Sequence, residues 1–407
     1  MIFNNEHLYI FVFMLPDTPL IKAIQQKDFV LAEQLLQSGE DIPDTVNEFD
    51  RRQLYDSLLR NKGYRIIGIF LEQGTINKDI YEYDSFKSTF FETLFSYIPA
   101  DDQSVQFVKD LAAKLENLND EVEGYTLLSF ALECKAQPAF IQALVDAGLR
   151  TDYKNTAQDN LVVQATRINM IPPERQQAYL AIFLKAGVDP QETNVVKQTA
   201  LHVAVERDKP HLLDILLANG AEPNLQDNKG NSAFYYALAH KFDPAIYSVL
   251  AAHTPADFMQ RNNEGQTILS DFLRMMQGGQ KDMELLGLLL RDGASLEESA
   301  PYYSNDKSGW DWIIEKSVDV LQLALQATGK DVNEPDNAGN TLLHKVAAID
   351  CNYSQETAKN LYKKSKLLLE KGADVSLTNN KDETAMDLAV KDNLKGKLVE
   401  LLLHAKK

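Results

Sequence analysis

One helical pattern recurs from end to end of this 407-residue chain. A Thr-Ala-Leu-His motif at residues 199–202 precedes a leucine-rich segment that ends at Gly220, and a Thr-Leu-Leu-His motif at residues 341–344 opens a second segment of the same kind. The first Thr and its counterpart Ser232 are 33 residues apart. Because a single hydrophobic core seldom grows past about 250–300 residues, we predict that this periodic chain grows as a stack of repeats.

The same frame recurs in three further places, Thr18-Pro19-Leu20, Thr126-Leu127-Leu128 and Thr384-Ala385-Met386. These segments resemble the ankyrin repeat, whose motif is Thr-Pro-Leu-His-x-Ala in a unit of about 33 residues. About eleven units are indicated, several of them degenerate, and they begin near Asp17, Asp50, Phe86, Glu123, Ala157, Lys197, Gly230, Gly265, Ser308, Gly339 and Asp382. The resemblance predicts an all-α fold, an ankyrin-repeat α-solenoid of stacked helix-turn-helix units with short β-turn fingers.

The residues of the motif suit roles in local packing. A threonine at the first turn of a helix can cap N–H groups that lack partners, and the resemblance implies that His202 and His344 tie adjacent turns together. Leu201, Ala204 and Val205 follow helical spacing and are predicted to be buried. Glycines just beyond the second helices suit a left-handed cap, and they are Gly148, Gly187, Gly220 and Gly372.

Charge and repeat regularity divide the chain into an extension and three parts. Residues 1–16 form an apolar N-terminal extension, which is disordered or lies upstream of a true start at Met14. Residues 17–118 hold degenerate repeats, and the chain up to residue 118 has a net charge of −8. Residues 119–300 hold the central repeats with a net charge of −9. Residues 301–407 hold the C-terminal repeats, a long finger and a terminal cap, with a net charge of −1.

Two features near the N-terminus leave alternatives open. The extension carries no Lys or Arg ahead of its apolar residues, which disfavours a secretory signal. Residues 45–118 keep helical periodicity but lose the turn motif. We interpret them as diverged repeats, because Gly39, Gly74 and Gly148 keep a compatible frame, with a separate helical cap as the alternative.

The overall charge limits the classes of partner. The chain has 41 Lys and Arg against 59 Asp and Glu, a net charge of −18, and an anionic surface repels phosphate backbones, so nucleic-acid binding is not expected. No apolar run reaches about 18 residues, so no membrane span is expected. The two cysteines, Cys134 and Cys351, suggest neither a disulfide framework nor a metal site and favour a reduced, cytoplasmic setting.

Known catalytic patterns are missing from the sequence. It contains no His-Glu-x-x-His pair, no phosphate-binding glycine loop and no Gly-x-Ser-x-Gly motif. We therefore predict no catalytic residue, no metal, no cofactor and no small-molecule substrate. An enzyme is the least favoured of the three functions considered.

Breaks in the repeat pattern are where function is expected. The lengthened finger before repeat nine holds Tyr302 and Tyr303, and the helix that follows it holds both tryptophans of the chain, Trp310 and Trp312. Large aromatic residues dominate binding energy at protein interfaces, so we predict that these four contact a partner. The alternatives are packing for the tryptophans and simple loop exposure for the tyrosines.

A second break lies in repeat seven. Tyr235 and Tyr236 follow one another on one helix and cannot both face the core, so one of them is predicted to face the groove or the next repeat, and a hydrogen-bonded core role for Tyr235 is slightly favoured. The finger residues Lys229, Arg261 and Glu264 complete the predicted partner-binding set.

An insertion at residues 350–362 marks a third break. The helix predicted there and just beyond carries Lys359, Lys363, Lys364 and Lys366. These lysines could form a basic face for an acidic partner, but we favour an ordinary solvated helix face.

The sequence as a whole predicts a non-enzymatic protein–protein interaction scaffold. A protein partner, with a basic patch that the acidic chain attracts, would bind the concave groove and the fingers of repeats six to ten. The alternative is an inhibitor or immunity-type protein that neutralises a basic toxic or enzymatic partner.

Overall fold

The computed structural model describes residues 16–405, so the prediction for residues 1–15 lies outside the described residues. The chain divides into two compact units, Met1–Val195 and Val196–Lys407, which we call unit one and unit two. The division into three parts made from the sequence stays a prediction.

Unit one contains five helix pairs in its described part, one for each of the first five predicted repeats. Its helices are α1 (Pro19–Gln25), α2 (Phe29–Gln37), α3 (Glu48–Arg60), α4 (Tyr64–Gln73), α5 (Phe90–Tyr97), α6 (Asp102–Ala112), α7 (Leu127–Glu133), α8 (Pro138–Asp146), α9 (Leu161–Arg167) and α10 (Pro173–Lys185), with a 3₁₀ turn at Ile80–Glu82. The first helices α1, α3, α5 and α7 pack in a row, so residues 45–118 form diverged repeats within the stack and not a separate cap.

Unit two contains six further pairs and one hairpin in its described part. Its elements are α11 (Ala200–Glu206), α12 (Leu213–Ala218), α13 (Ala233–Tyr235), α14 (Pro244–His253), α15 (Ile268–Met275), α16 (Gln280–Arg291), β1 (Ser299–Tyr302), β2 (Asn305–Ser308), α17 (Gly309–Ile313), α18 (Val318–Thr328), α19 (Leu342–Ala348), α20 (Gln355–Glu370), α21 (Ala385–Ala389) and α22 (Gly396–Ala405), with 3₁₀ turns at Pro210–Leu212 and Asn393–Lys395. The second helices α12, α14, α16, α18, α20 and α22 pack each against the next. Eleven pairs over residues 16–405 confirm the predicted helix-turn-helix repeats.

Side-chain caps begin most of the first helices, as the motif predicts. The hydroxyl accepts a hydrogen bond from a backbone N–H of the first turn at Thr18, Thr126, Thr199, Ser232, Thr267, Ser308 and Thr384. The position that is Thr or Ser in the sequence pattern therefore sets where each of these helices starts.

The two motif histidines connect neighbouring repeats. The Nδ1 atom of His202 lies 2.8 Å from Thr199 Oγ1, and its Nε2 atom lies 3.2 Å from the carbonyl oxygen of Asn231 in the next finger. His344 makes the matching contacts, 2.8 Å to Thr341 Oγ1 and 3.1 Å to the carbonyl oxygen of Glu383. Burial lowers the pKa of His202, so the ring stays neutral in this role, and the structure confirms that the histidines tie adjacent turns together.

Glycine is required where the backbone turns left-handed or two fingers touch. The predicted cap glycines have positive φ angles of 94°, 90°, 94° and 91° at Gly148, Gly187, Gly220 and Gly372. At Gly230 a Cβ atom would lie 2.7 Å from the Cα atom of Asn262 in the next finger. That close approach excludes any larger residue and lets the fingers pack side by side.

Repeats seven and nine depart from the common form. In repeat seven, α13 continues as a π-helix, Tyr236–Lys241, which ends at Phe242 with a φ angle of 49°. In repeat nine the finger is the antiparallel β1–β2 hairpin, in which Tyr302 pairs with Asn305. Both departures lie in unit two, and short π-helical segments are frequent at functional sites.

Candidate functional site

Four fingers of unit two, at residues 227–230, 262–265, 299–308 and 336–339, make up what we call the finger surface. Three of them are joined to a first helix by a side-chain contact. Tyr236 donates its hydroxyl hydrogen to Asp227 at 2.7 Å, the Asn262 amide donates to Asp271 at 3.3 Å, and Lys345 lies 2.8 Å from Asp336. Each of these contacts fixes a finger against the helix that follows it in the chain.

Each turn-type finger is also held by its own backbone. The Oδ1 atom of Asp227 accepts from the N–H of Asn231 at 3.0 Å, and that of Asp336 accepts from the N–H of Asn340 at 2.9 Å. Successive fingers are joined by main-chain bonds, for example from Asn263 N–H to the Lys229 carbonyl at 2.9 Å. The finger surface is therefore a rigid platform whose tips can vary without cost to the fold.

The predicted finger residues are exposed on this platform. Lys229, Arg261 and Glu264 are all accessible, and Tyr303 is 92% exposed. Arg261 also braces its surroundings, because its Nη1 and Nη2 atoms donate to the carbonyls of Gly265 at 2.8 Å and Ser299 at 3.0 Å. The fingers bring these residues to one face of unit two, whereas their role in binding a partner stays a prediction.

The two tryptophans do not lie on that surface. Trp310 is 3% exposed and Trp312 is 6% exposed, so the partner-contact interpretation is corrected and the packing alternative holds for both. Trp310 Nε1 donates to Glu297 at 2.9 Å, and the ring of Trp312 meets that of Tyr302 edge-on at a centroid distance of 4.8 Å. Trp310 is held by Leu296 and Glu297, which precede the hairpin, whereas Tyr302 and Lys307 of the hairpin lie against Trp312.

Sequence reasoning missed Lys307, which occupies the centre of this cluster. Its Nζ atom lies 3.5 Å from the ring centroid of Trp312, 5.0 Å from that of Tyr302 and 2.6 Å from Glu315. The repeat pattern held no signal for it, because strand pairing places Lys307 opposite Ala300 and the repeat motif contains no hairpin.

The tyrosine pair of repeat seven divides in the opposite way from the slightly favoured assignment. Tyr236 is the buried, hydrogen-bonded residue and Tyr235 is only half-buried. Burial and the bond to Asp227 raise the pKa of Tyr236, so its phenol stays a donor. Tyr235 packs edge-on against Tyr236 and lies 5.5 Å from the ring of His240, which is exposed. One tyrosine of the pair thus remains partly accessible, and its predicted contact with a partner stays a prediction.

A charge cluster of three residues lies beneath the last finger of the surface. Lys345 Nζ is 2.6 Å from Asp311 and 2.8 Å from Asp336. Burial alone would lower the pKa of Lys345, but the two carboxylates outweigh it and the pKa is raised. The cluster joins α17, a finger and α19 with its charges paired, so it orders the site and offers no free acid or base for catalysis.

The lysines near the insertion do not share one face. Lys359, Lys363 and Lys366 are exposed on α20, but Lys364 is 1% exposed. The ammonium group of Lys364 donates to the carbonyl oxygen of Ile314 at the end of α17, a favourable place for a cation because helix C-termini carry partial negative charge. Lys364 is thus a structural contact between repeats, and the solvated-face interpretation holds only for the other three.

Lys364→Met is expected to remove a pH dependence of stability. Burial lowers the pKa of Lys364 to about 8, against 10.5 for the exposed group. Between these values the unfolded chain holds a proton that the folded protein has released. The free energy of unfolding of the parent protein therefore rises with pH, by up to about 3 kcal/mol. Urea unfolding at about pH 7.5 and about pH 10 measures this rise; Lys363→Met should retain it, and an equal rise in both variants would contradict the assignment.

Two further observations bear on the chemistry of the surface. Within residues 16–405 no group of three or more His, Cys, Asp or Glu side chains is arranged to hold a metal ion. None of the described helices has the length and apolar character needed to cross a bilayer.

Unit one contains a groove of about 710 Å³ between α2, α4 and α6, which sequence reasoning did not identify. In this groove the ring of Tyr64 stacks on that of Phe107, with a distance of 4.1 Å between the centroids.

Comparison with known proteins gives one family match. A family model described as ankyrin repeats in three copies matches residues 175–262. That segment ends at Asn262, the first residue of the second finger of the finger surface. It includes repeat six, which matches the sequence motif at every position except the proline, where Ala200 stands.

Relatives in sequence and structure carry the same kind of repeat. The B-cell lymphoma 3 protein homolog of Mus musculus is 28% identical over 228 residues, 54% of this chain and 46% of that protein. NF-kappa-B inhibitor delta of the same organism is 27% identical over 209 residues, 47% of this chain and 62% of that protein. The crystal structure of the ankyrin repeat domain of Bcl-3 is 24% identical, with a TM-score of 0.47, over 60% of this chain and 98% of that one. The chain spans less than half the length of the B-cell lymphoma 3 proteins it matches.

Proposed function

We propose that this chain, which belongs to the ankyrin repeat proteins, is a non-enzymatic scaffold that binds a protein partner through the finger surface and the groove-facing first helices of unit two. The observation that carries the proposal is the contrast within that surface. Its fingers are held by hydrogen bonds to one another and to the helices, whereas Lys229, Glu264 and Tyr303 project into solvent and Arg261 is exposed beside them. Exposed side chains on a rigid support are the form that recognition sites take.

The charge of the chain favours a partner with a basic patch. Sequence charge is −18 overall, and long-range attraction of this kind accelerates encounter and selects against acidic partners. The two cysteines are free thiols, which supports a reducing, cytoplasmic environment for the scaffold.

A second candidate is an inhibitor that masks the active surface of a basic toxic or enzymatic partner. The observation that favours it is the similarity to a relative that is named as an inhibitor, NF-kappa-B inhibitor delta. The two candidates share the same surface. An inhibitor would make the partner lose its activity in stoichiometric proportion to this chain, whereas a scaffold would not. The binding of an inhibitor to a basic partner would also weaken as the salt concentration rises.

Substitution of finger residues is expected to abolish partner capture without affecting the fold. The test variant replaces Lys229, Arg261 and Glu264 together by alanine, and affinity capture from the native source is followed by mass spectrometry. The loss should exceed about tenfold, because a cluster of interface residues commonly contributes several kcal/mol. The unfolding midpoint of the variant should fall only slightly, because all three side chains are exposed and only Arg261 gives up hydrogen bonds, to the carbonyls of Gly265 and Ser299.

The matched control lies on the second helix of repeat eight. Lys281, Glu284 and Arg291 are exposed on α16, and their replacement by alanine changes the net charge by the same amount. This control should capture the partner as the parent does. Equal capture by both variants, or capture of no protein at all, would refute the proposal.

A further inference from the structure

The hairpin of repeat nine is held from both sides. Arg261 donates to the Ser299 carbonyl at 3.0 Å, and the side-chain amide of Gln266 donates to the Pro301 carbonyl. On the other strand Lys307 pairs with Glu315 at 2.6 Å. The tip that joins the strands is therefore presented to solvent in a fixed position, which reduces the entropy lost when a partner binds.

Tyr303 at that tip is not part of the core. It is 92% exposed and has a φ angle of 53°. The first central position of a two-residue hairpin turn with positive φ favours glycine, and a bulky residue there is strained. The ring contacts Tyr302 edge-on at 4.7 Å, so one large aromatic surface remains open at a position where glycine would fit better.

The neighbouring rings already hold a cation. Lys307 lies over Trp312 and over Tyr302, at 3.5 Å and 5.0 Å from the two centroids. Over the described residues no Lys or Arg of the chain covers Tyr303 in this way. The cluster is thus a row of three aromatic rings of which the outermost has no cation, and cations bind such faces favourably.

The charges around the tip have the sign that attracts a cation. Among the described residues Glu264 and Asp306 are exposed and form no ion pair, whereas Arg261, Lys307 and Lys330 each pair with a carboxylate. Asp306 lies opposite Pro301 on β2, and Gly265, next to Glu264, packs against the same proline. Two unneutralised carboxylates therefore flank the hairpin that carries Tyr303.

We infer that the hairpin tip binds an arginine side chain from a basic segment of the partner protein, which stacks on Tyr303 while Glu264 and Asp306 accept its hydrogen bonds. This inference rests on the proposed function and specifies the partner's chemistry at one site. Arginine fits better than lysine, because its planar guanidinium group stacks on a ring and donates to carboxylates through several N–H groups at once.

The test measures binding of fluorescein-labelled peptides to the full chain by fluorescence anisotropy at about 0.15 M salt. The probes are three peptides of equal length in which serine alternates with arginine, lysine or glutamate. The parent protein should bind the arginine peptide most tightly and the glutamate peptide least. Tyr303→Gly should weaken binding of the arginine peptide at least about fivefold, and Asp306→Asn should weaken it in the same direction.

Tyr353→Gly is the matched control. Tyr353 is 99% exposed and has a φ angle of 61°, so both substitutions remove an exposed ring from a left-handed position and neither should impair folding. This control should bind the arginine peptide within about twofold of the parent, because the substitution leaves the charge of the chain, and therefore its general attraction for the peptide, unchanged.

The outcomes separate this inference from the proposed function. Failure of the parent to prefer the arginine peptide, or equal weakening by Tyr303→Gly and Tyr353→Gly, overturns the inference. If a protein partner is captured from the native source and Tyr303→Gly captures it as well as the parent does, the scaffold proposal stands and the hairpin site is refuted.

Discussion

Trp310→Ala should lower the free energy of unfolding of unit two by about 3–5 kcal/mol. The side chain is buried among the residues of repeat nine, and its indole N–H donates to Glu297. Its removal leaves a large cavity and takes away one donor to the Glu297 carboxylate, which keeps its ion pair with Lys330. Urea unfolding monitored by circular dichroism measures the loss, provided that the dependence on denaturant is unchanged, since repeat arrays can unfold in parts.

Tyr303→Ala supplies the comparison for this substitution. Tyr303 is an aromatic residue close to Trp310 in sequence, but it is exposed. Its replacement should leave the unfolding midpoint almost unchanged and weaken only the binding of the protein partner. A Trp310→Ala protein as stable as the parent would show that Trp310 is not part of the core and would restore the partner-contact interpretation.

Leu216→Ala should cost about 2–5 kcal/mol of stability. Leu216 lies on α12, where it is fully buried between repeats. The loss has two parts, the hydrophobic free energy of the methyl groups that are removed and the cost of the cavity that remains. Because a repeat is stabilised mainly by its neighbours, the defect should also raise amide hydrogen exchange in repeats six and seven first.

Leu403→Ala is the control for the leucine substitution. Leu403 lies on α22 and is 48% exposed, so the same change in volume should cost less than about 1 kcal/mol. Equal losses at both positions would show that the effect comes from the substitution itself and not from burial between repeats.

Local chemistry explains why the fold was predictable from the sequence. Thr199 and Ser232 begin helices because their hydroxyl groups accept from the first turn, and Gly220 ends a pair because its φ angle is positive. Such preferences act over a few residues and recur in every repeat. Eleven weak patterns in one frame reinforce each other, so even the degenerate repeats of residues 45–118 were assigned correctly.

The candidate site was less predictable, because it depends on contacts between residues distant in sequence. The sequence predicts a partner contact for Trp310, and only the structure shows that the residue is buried, with its indole N–H donating to Glu297. Lys364 was grouped with surface lysines, although the carbonyl of Ile314, 50 residues away, accepts its hydrogen bond. The burial of Tyr236 in place of Tyr235 likewise follows from its bond to Asp227 in a finger.

The sequence by itself determined the repeat, its caps and turns, and the acidic character of the chain, because each of these is set by residue type and spacing along the backbone. The tertiary structure decided which aromatic and charged side chains are accessible. Accessibility depends on which side chains of a neighbouring repeat cover a residue. The repeat motif does not specify the sequence of the fingers, the hairpin or the π-helix. Repeat nine shows this difference, because Tyr303 on its hairpin is exposed whereas Trp312 on the helix that follows is buried.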